Sequence, residues 1–164
     1  WTKNAITLHP SASGQYLSGP AYCEPIAELT RRSSIPVIGS GYIFKAQYAQ
    51  RMLQQTGCDA VMIGRGCYGN PWLARDILAM RQGQTPAPVT PEERCDVALR
   101  HMELFLRFND ERKAVFDLRK HLCWYAKGLP GAAQFRSSIN RAMSIEEMRT
   151  LVMHFFEHAA HTTD

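Results

Sequence analysis

Apolar and polar positions follow two different patterns along the chain, and the pattern changes near residue 85. Before that point, short apolar runs alternate with stretches that have helical spacing. The runs predict strands at 5–9, 35–39 and 60–64, and the stretches between and after them predict helices at about 24–32, 45–55 and 71–80. Gly57 suits the end of the second helix. Strands about 25 residues apart with helices between them indicate βαβ units in a parallel sheet. Strands that are almost wholly apolar are expected where both faces of a sheet are covered.

After residue 85 the pattern is helical throughout. Residues 83–93 read GQTPAPVTPEE, a proline-rich linker that ends in the helix-start residues Thr90, Pro91 and Glu93. Beyond it the apolar positions repeat at helical spacing. Ser144 and Glu147 form another helix-start pattern, and the helix that follows carries an apolar stripe of Met148, Leu151, Val152, Phe155 and Phe156. This pattern predicts the core of a small helical bundle.

Three strands are too few to close a barrel, which needs about eight. We expect an α/β plus all-α chain: residues 1–84 as about three C-terminal units of a partial (β/α)8 TIM barrel, residues 85–90 as a linker, and residues 91–164 as a small helical bundle domain. The sequence lacks an initial Met and becomes strand-like within a few residues, which favours a piece of a longer domain. A small three-stranded layered domain is the alternative.

Composition indicates the cellular compartment of the protein and the kinds of site that it can contain. The 164 residues are 45% hydrophobic and 21% charged, as in ordinary globular chains, and no apolar run approaches the roughly 20 residues of a membrane helix. We expect no signal peptide in the first residues. Five cysteines without a C-x-x-C pair predict neither a zinc site nor a disulfide framework. We therefore expect a cytoplasmic protein with no metal site and no membrane partner.

Positive charge is concentrated in one segment of a chain whose net charge is +4. Residues 112–141 hold seven Lys or Arg residues and only Asp117 as an acid, and they also contain Trp124, Tyr125 and Phe135. Basic residues interleaved with aromatic ones are typical of a face that binds polyanions. A solvated helix surface is the other interpretation of the same pattern.

Two consecutive strands end in similar glycine motifs, Gly39-Ser40-Gly41 and Gly64-Arg65-Gly66. Glycines at the carboxyl end of a strand let backbone N–H groups approach an anion, and an arginine adds a fixed positive charge. We expect a phosphate site there, with ordinary tight turns as the alternative. His9 stands at the end of the first strand, where it is either a site residue or a structural histidine.

Three stretches carry a resemblance to a known family: IPVIGSGYI, TGCDAVMIGRGCYGNPWLARDI and LRKHLCWYAKGLPGAAQFR. They closely resemble the FMN-dependent tRNA-dihydrouridine synthases, the first two at the end of the TIM barrel and the third in the helical tRNA-binding domain. The resemblance covers nearly the whole chain. It implies an enzyme that binds FMN, is reduced by NADPH and converts uridine in tRNA to 5,6-dihydrouridine, after the target base has left its stacked position.

The resemblance also implies roles for individual residues. It places the cofactor near His9, Ser40, Gly41, Gly64, Arg65 and Gly66. It places tRNA against Arg119, Lys120, Lys127 and Arg136. The catalytic cysteine of the family lies in an earlier barrel loop, and Cys67 does not match it, so we expect no catalytic residue in this chain.

The sequence departs from the family at two loops. Ser40 and Tyr42 stand where the family commonly has the Asn and Asp of GNGDI, and residues 9–13 lack the two arginines of its H-x-R-T-R run. We expect the isolated chain to be inactive and to need the missing N-terminal half, or a second chain, to complete the barrel. The alternative is a divergent, non-catalytic module that binds tRNA.

Overall fold

The computed structural model describes residues 4–10 and 23–161. In this part of the chain it has three strands, β1 Ile6–Leu8, β2 Val37–Ser40 and β3 Ala60–Met62, with a 3-10 turn at Arg65–Cys67. The helices are α1 Cys23–Arg32, α2 Ala46–Thr56, α3 Leu73–Arg81, α4 Pro91–Leu106, α5 Glu111–Tyr125, α6 Ala132–Arg141 and α7 Ile145–His161. The chain is therefore a mixed α/β protein, as predicted. The glycine-bearing loop after His9, including residues 11–13, lies outside the described residues.

The three strands form one parallel sheet in the order β1-β2-β3. The register pairs Thr7 with Ile38 and Ile38 with Ala60. Because paired residues of a parallel sheet lie side by side, these three side chains share one face. On the other face Val37 belongs to a buried core with Ile26, Ile43, Ala46, Ala49, Met52, Cys58, Leu73 and Ile77. The helices of this half pack on that face.

Among the described residues, much of β1 and β3 is exposed. Only β2 is mainly buried, whereas Thr7 and Ala60 are exposed and Met62 is 47% exposed. Apolar strand composition indicates what a face can bury, but it does not show that a partner layer is present.

The helix after β3 begins two residues later than predicted. Pro71 and Trp72 form a turn, and α3 starts at Leu73. The carbonyl of Trp72 accepts the first helical bond from the N–H of Asp76, at 2.9 Å. Pro71 therefore precedes α3, unlike Pro91, which stands at the start of α4. By contrast, α2 ends as predicted, at Gly57 in the left-handed conformation with φ of 67°.

The four helices α4 to α7 pack against one another. The predicted helix start is confirmed at α4, where Thr90 Oγ1 accepts a hydrogen bond from the N–H of Glu93 at 3.2 Å. At α7, Ser144 accepts from the N–H of Glu147 at 3.1 Å. The fully buried side chains of these helices include Met102, Leu118, Leu122, Ile139, Met148, Val152 and Phe156. The predicted apolar stripes thus supply much of this core.

The chain divides into two compact units. The first unit is Trp1–Cys67 with Pro71–Ala87, and the second is Tyr68–Asn70 with Pro88–Asp164. The short segment Tyr68–Asn70 therefore belongs with the helices, although both its neighbours in sequence belong with the sheet. Among the described residues, every helix is too short or too polar to cross a bilayer.

Candidate functional site

Two predicted site residues meet at the carboxyl end of the sheet in the first unit. His9 directly follows β1, and Ser40 is the last residue of β2. The Nδ1 atom of His9 lies 3.0 Å from Ser40 Oγ, a hydrogen-bond distance. Ser40 is buried at 5% exposure, whereas His9 is exposed. The pair fixes one ring nitrogen of His9 and leaves much of the imidazole accessible.

The motif Gly64-Arg65-Gly66 follows β3, and its two glycines have different surroundings. A Cβ atom at Gly66 would lie 1.9 Å from the carbonyl oxygen of Ile43, which no side chain can do. Gly66 is therefore required by the close approach of the Ile43 backbone. A Cβ atom at Gly64 would meet nothing within 4 Å. Packing does not explain Gly64, which borders open space.

The Arg65 guanidinium is exposed and lies against aromatic rings. Its carbon is 5.8 Å from the ring centre of Tyr42 and 5.8 Å from that of Phe44, within the range of cation–π contacts. No carboxylate forms an ion pair with it in the described part of the chain. Tyr42 has φ of 50°, an uncommon conformation for a bulky residue, and such strain is concentrated at functional loops.

These features suit an anion that binds at the edge of the sheet. The packing of Gly66 on Ile43 ties the loop after β3 to the loop after β2. Arg65 contributes a positive charge without an acidic neighbour, and Gly64 leaves room for a close approach. Within the described residues no hydrogen bond joins His9 to Arg65, so the predicted residues form two adjacent groups on successive strands.

In the second unit, Arg119 is held by the protein itself. Its Nη2 atom donates to the carbonyl oxygen of Ala142 at 2.7 Å, just after α6 ends. Its Nε atom is buried and has no hydrogen-bond partner within the described residues. Arg119 thus links α5 to the end of α6 and also lines a surface groove.

That groove has a volume of about 760 Å³ and lies at the start of α5. It is lined by Asp110, Glu111, Arg112, Lys113, Val115, Phe116, Arg119 and Met143. Lys113 is paired with Asp117 at 2.5 Å, whereas Arg112 is exposed and has no acidic partner in the described part of the chain. The groove therefore presents both cationic and apolar groups.

The other predicted nucleic-acid residues are exposed. Lys120, Lys127 and Arg136 form no ion pair with a described residue. The Nζ atom of Lys120 lies 5.7 Å from the ring centre of Trp124. Three exposed cations without an ion pair, one of them beside an aromatic ring, are the elements of a polyanion-binding surface.

Sequence reasoning missed Arg94, which fixes the end of α5. Its Nη1 atom donates to the carbonyl oxygens of Tyr125 at 3.3 Å and Lys127 at 3.1 Å. Burial lowers the pKa of Arg94 from its usual value. Arg94 is one of many charged residues in α4, so nothing in the pattern distinguishes it; only the tertiary contact does.

The cysteines present neither an activated thiol nor a metal site. All five are free, and burial raises the pKa of the Cys67 thiol, which disfavours its thiolate. No cluster of His, Cys, Asp or Glu among residues 4–10 and 23–161 has the arrangement of a metal site.

Comparison with known proteins shows to which family the chain belongs. Residues 3–160 match the model of the family described as dihydrouridine synthase (Dus). The chain belongs to the dihydrouridine synthase family. Relatives within this family include a Mycobacterium leprae protein named "Probable tRNA-dihydrouridine synthase", which is 37% identical over 150 residues, covering 90% of this chain and 39% of that protein.

Two further relatives of the dihydrouridine synthase family come from other bacteria. A Rickettsia conorii protein named "Probable tRNA-dihydrouridine synthase" is 36% identical over 136 residues, covering 82% of this chain and 41% of that protein. A Xanthomonas axonopodis pv. citri protein named "tRNA-dihydrouridine synthase B" is 34% identical over 154 residues, covering 93% of this chain and 46% of that protein. The chain therefore spans less than half the length of these relatives.

Proposed function

We propose that the chain is the C-terminal portion of a tRNA-dihydrouridine synthase, an FMN-dependent oxidoreductase that uses NADPH to reduce uridine in tRNA in the cytoplasm. The observation that carries this proposal is the family match over residues 3–160. The names of the matched relatives, which refer to tRNA and to dihydrouridine synthesis, support the substrate and the reaction.

We assign the first unit to the end of a TIM barrel. Three of the five side chains on the sheet face of Thr7, Ile38, Ser40, Ala60 and Met62 are apolar, yet Ala60 and Met62 are exposed among the described residues. In a closed barrel, that face would point to the interior and be packed by side chains from the other strands. The open apolar face is therefore what a partial barrel would leave.

The cofactor would be held at the carboxyl ends of the strands by its phosphate. Gly64 leaves open space, and Arg65 offers a cation with no acidic partner among the described residues, so this loop fits a phosphate group. Ser40 and Gly41 belong to the neighbouring strand end, and His9 would lie beside the flavin. When bound, the flavin supplies the hydride for reduction of the uracil ring. The residues of this chain bind and orient it.

The second unit would bind tRNA as a helical domain. Lys120, Lys127 and Arg136 are exposed and suited to phosphate contacts. Arg119 would position α5 through the carbonyl of Ala142 and also face the groove. Of the four residues assigned to tRNA, Arg119 thus has a structural role and the other three have electrostatic ones.

We further propose that these 164 residues do not complete the reaction alone. A barrel needs about eight strands, and three are present in the described part of the chain. Cys67, which does not match the family's catalytic cysteine, has its pKa raised by burial. Another part of the protein, or a second chain, would supply the remaining strands and the catalytic cysteine.

A non-catalytic tRNA-binding module is the second candidate function. The observation in its favour is that two site residues bind each other: Ser40 holds His9, and the aromatic ring of Tyr42 stands beside Arg65. A module of this kind would bind tRNA and have no affinity for FMN.

Titration with FMN, followed by flavin fluorescence, distinguishes the two functions. We expect Gly64→Ala to weaken FMN binding without changing the unfolding midpoint, because the added methyl group occupies the phosphate space and contacts no protein atom. Arg65→Gln should also weaken it, since the phosphate would lose its cation. An exposed arginine outside the loop, in the variant Arg81→Gln, is the control. The deciding titration uses the protein together with its remaining barrel strands, and tRNA binding without FMN binding in that form would establish the binding module instead.

A further inference from the structure

An exposed stack of aromatic rings forms part of the second unit. The rings of Tyr68 and Trp124 are stacked, with centres 4.3 Å apart and an angle of 12° between their planes. His121 meets the Trp124 ring edge-on, with centres 5.0 Å apart and planes at 88°. Tyr68 remains 51% exposed. One face of its ring is covered by Trp124, so the exposed area lies on the opposite face and the edge.

The backbone holds Tyr68 firmly in this position. The next residue, Gly69, has φ of 65° and lies so close to Trp124 that an added Cβ atom would be 2.4 Å from its carbonyl carbon and oxygen. Only glycine allows this approach. Segment 68–70 is thereby packed onto the end of α5, which explains why it belongs to the second unit. The exposed ring is preorganised.

Positive charge lies close to the stack. Lys120 is exposed, and its Nζ atom lies 5.7 Å from the ring centre of Trp124. Lys127 follows α5 by two residues and is exposed as well. A rigid aromatic face beside unpaired lysines has the two features with which proteins bind single-stranded nucleic acid: a stacking surface for bases and cations for the backbone.

We infer that the free face of Tyr68 stacks on an unpaired base of RNA, while Lys120 contacts the neighbouring phosphate. The inference rests on the proposed function, because it takes tRNA as the partner of the second unit. It adds a base contact to the electrostatic contacts already proposed. Stacking on a ring requires only the face of a base, so the contact is tolerant of sequence.

The test compares variants of the full chain in their affinity for a tRNA transcript and for an unstructured RNA that carries a fluorescent base analogue. Tyr68→Ala removes the ring, Tyr68→Phe keeps it, and Tyr68→Leu keeps apolar contact with Trp124 without an aromatic face. The matched control is Tyr48→Ala, which removes a tyrosine of similar exposure, 41%, that also lies beside a cation, Arg51. Thermal unfolding checks that each variant is folded.

We expect Tyr68→Ala and Tyr68→Leu to weaken RNA binding by about tenfold, the effect of losing one base–aromatic stack. Tyr68→Phe and Tyr48→Ala should bind like the wild type. The salt dependence should stay the same in every Tyr68 variant, since no phosphate contact is removed. The wild type should quench the base analogue, and Tyr68→Ala should not.

Wild-type affinity in Tyr68→Ala and Tyr68→Leu, with tRNA binding that remains salt-dependent, would overturn the stacking contact and leave the proposed function standing. A wild-type chain that does not bind tRNA would contradict both. A loss of affinity equal in Tyr68→Phe and Tyr68→Ala would also overturn the inference, because it would assign the effect to the hydroxyl group.

Discussion

At the scale of single residues, the two glycines on either side of Arg65 show that glycine can be needed for different structural reasons. The sequence presents Gly64 and Gly66 as one motif, and both were expected to open the loop to a phosphate. Gly66 allows the backbone of Ile43 to pass at a distance that excludes a Cβ atom, and its contact with the phosphate stays a prediction. Gly64 borders open space, and we propose that it lets a phosphate approach the backbone. Only the tertiary contact separates them.

Substitution of Gly66 should therefore destabilise the first unit. In Gly66→Ala the new methyl group must displace the Ile43 carbonyl, and forced overpacking of this kind costs about 1–3 kcal/mol. Chemical denaturation measures the loss in free energy of unfolding. Gly64→Ala is the matched control and should unfold like the wild type; equal stability of the two variants would disprove the packing explanation.

Two partly buried histidines, His101 and His121, should make folding stability dependent on pH. Burial lowers the pKa of His101 from its ordinary value of 6.5. Burial, together with His101 and Lys120, lowers the pKa of His121, and Asp117 opposes this shift. The folded protein thus takes up protons at a lower pH than the unfolded chain does. Below about pH 6.5 the unfolded state binds more protons than the folded state does. The protein therefore loses folding stability as the pH is lowered in that range.

Unfolding curves recorded at a series of pH values, from neutral down to the lowered pKa values of these histidines in the folded state, should show this loss of stability. We expect the midpoint to be constant above the ordinary histidine pKa and to fall as the pH drops through and below it. His121→Phe keeps a ring against Trp124 and removes one titrating group, so its midpoint should fall less. A variant as sensitive to pH as the wild type would rule out His121 as a source.

At the scale of elements, local sequence chemistry predicted the helix ends that depend on local bonds. Thr90, Ser144 and Gly57 have the contacts expected of them, because capping involves residues only a few positions apart. The start of α5 was not recognised, although Asp110 accepts a hydrogen bond from the N–H of Lys113 at 2.9 Å. The exposure of Ala60 in β3 could not be predicted, since it depends on whether another layer covers the sheet.

Removal of the Asp110 cap should weaken the second unit. Asp110→Ala leaves the N–H of Lys113 without its partner, and losing an N-cap of this kind costs about 1 kcal/mol. Thermal unfolding would detect the change. Asp96→Ala is a control with the same loss of charge at an exposed position within α4; an equal effect there would show that charge, and not capping, is responsible.

At the scale of the whole molecule, the sequence indicated a sheet-containing part and a helical part because its periodicity changes between them. It did not indicate that Tyr68–Asn70 would belong with the helices. It also could not distinguish Arg119, which donates to Ala142, from exposed Lys120 beside it in the chain. Both facts depend on contacts between residues distant in sequence, which periodicity does not encode.

The salt dependence of tRNA binding tests the proposed role of the molecule most directly. It compares the wild type with a variant that carries Lys120→Gln, Lys127→Gln and Arg136→Gln, and with a control that carries Lys45→Gln, Arg51→Gln and Arg81→Gln, which are exposed cations of the first unit. We expect affinity to fall steeply with salt in the wild type and the control. In the first variant the logarithmic slope should be smaller by about two to three, as for the loss of three phosphate contacts. No tRNA binding by the wild type, or an unchanged slope in the first variant, would contradict the assignment.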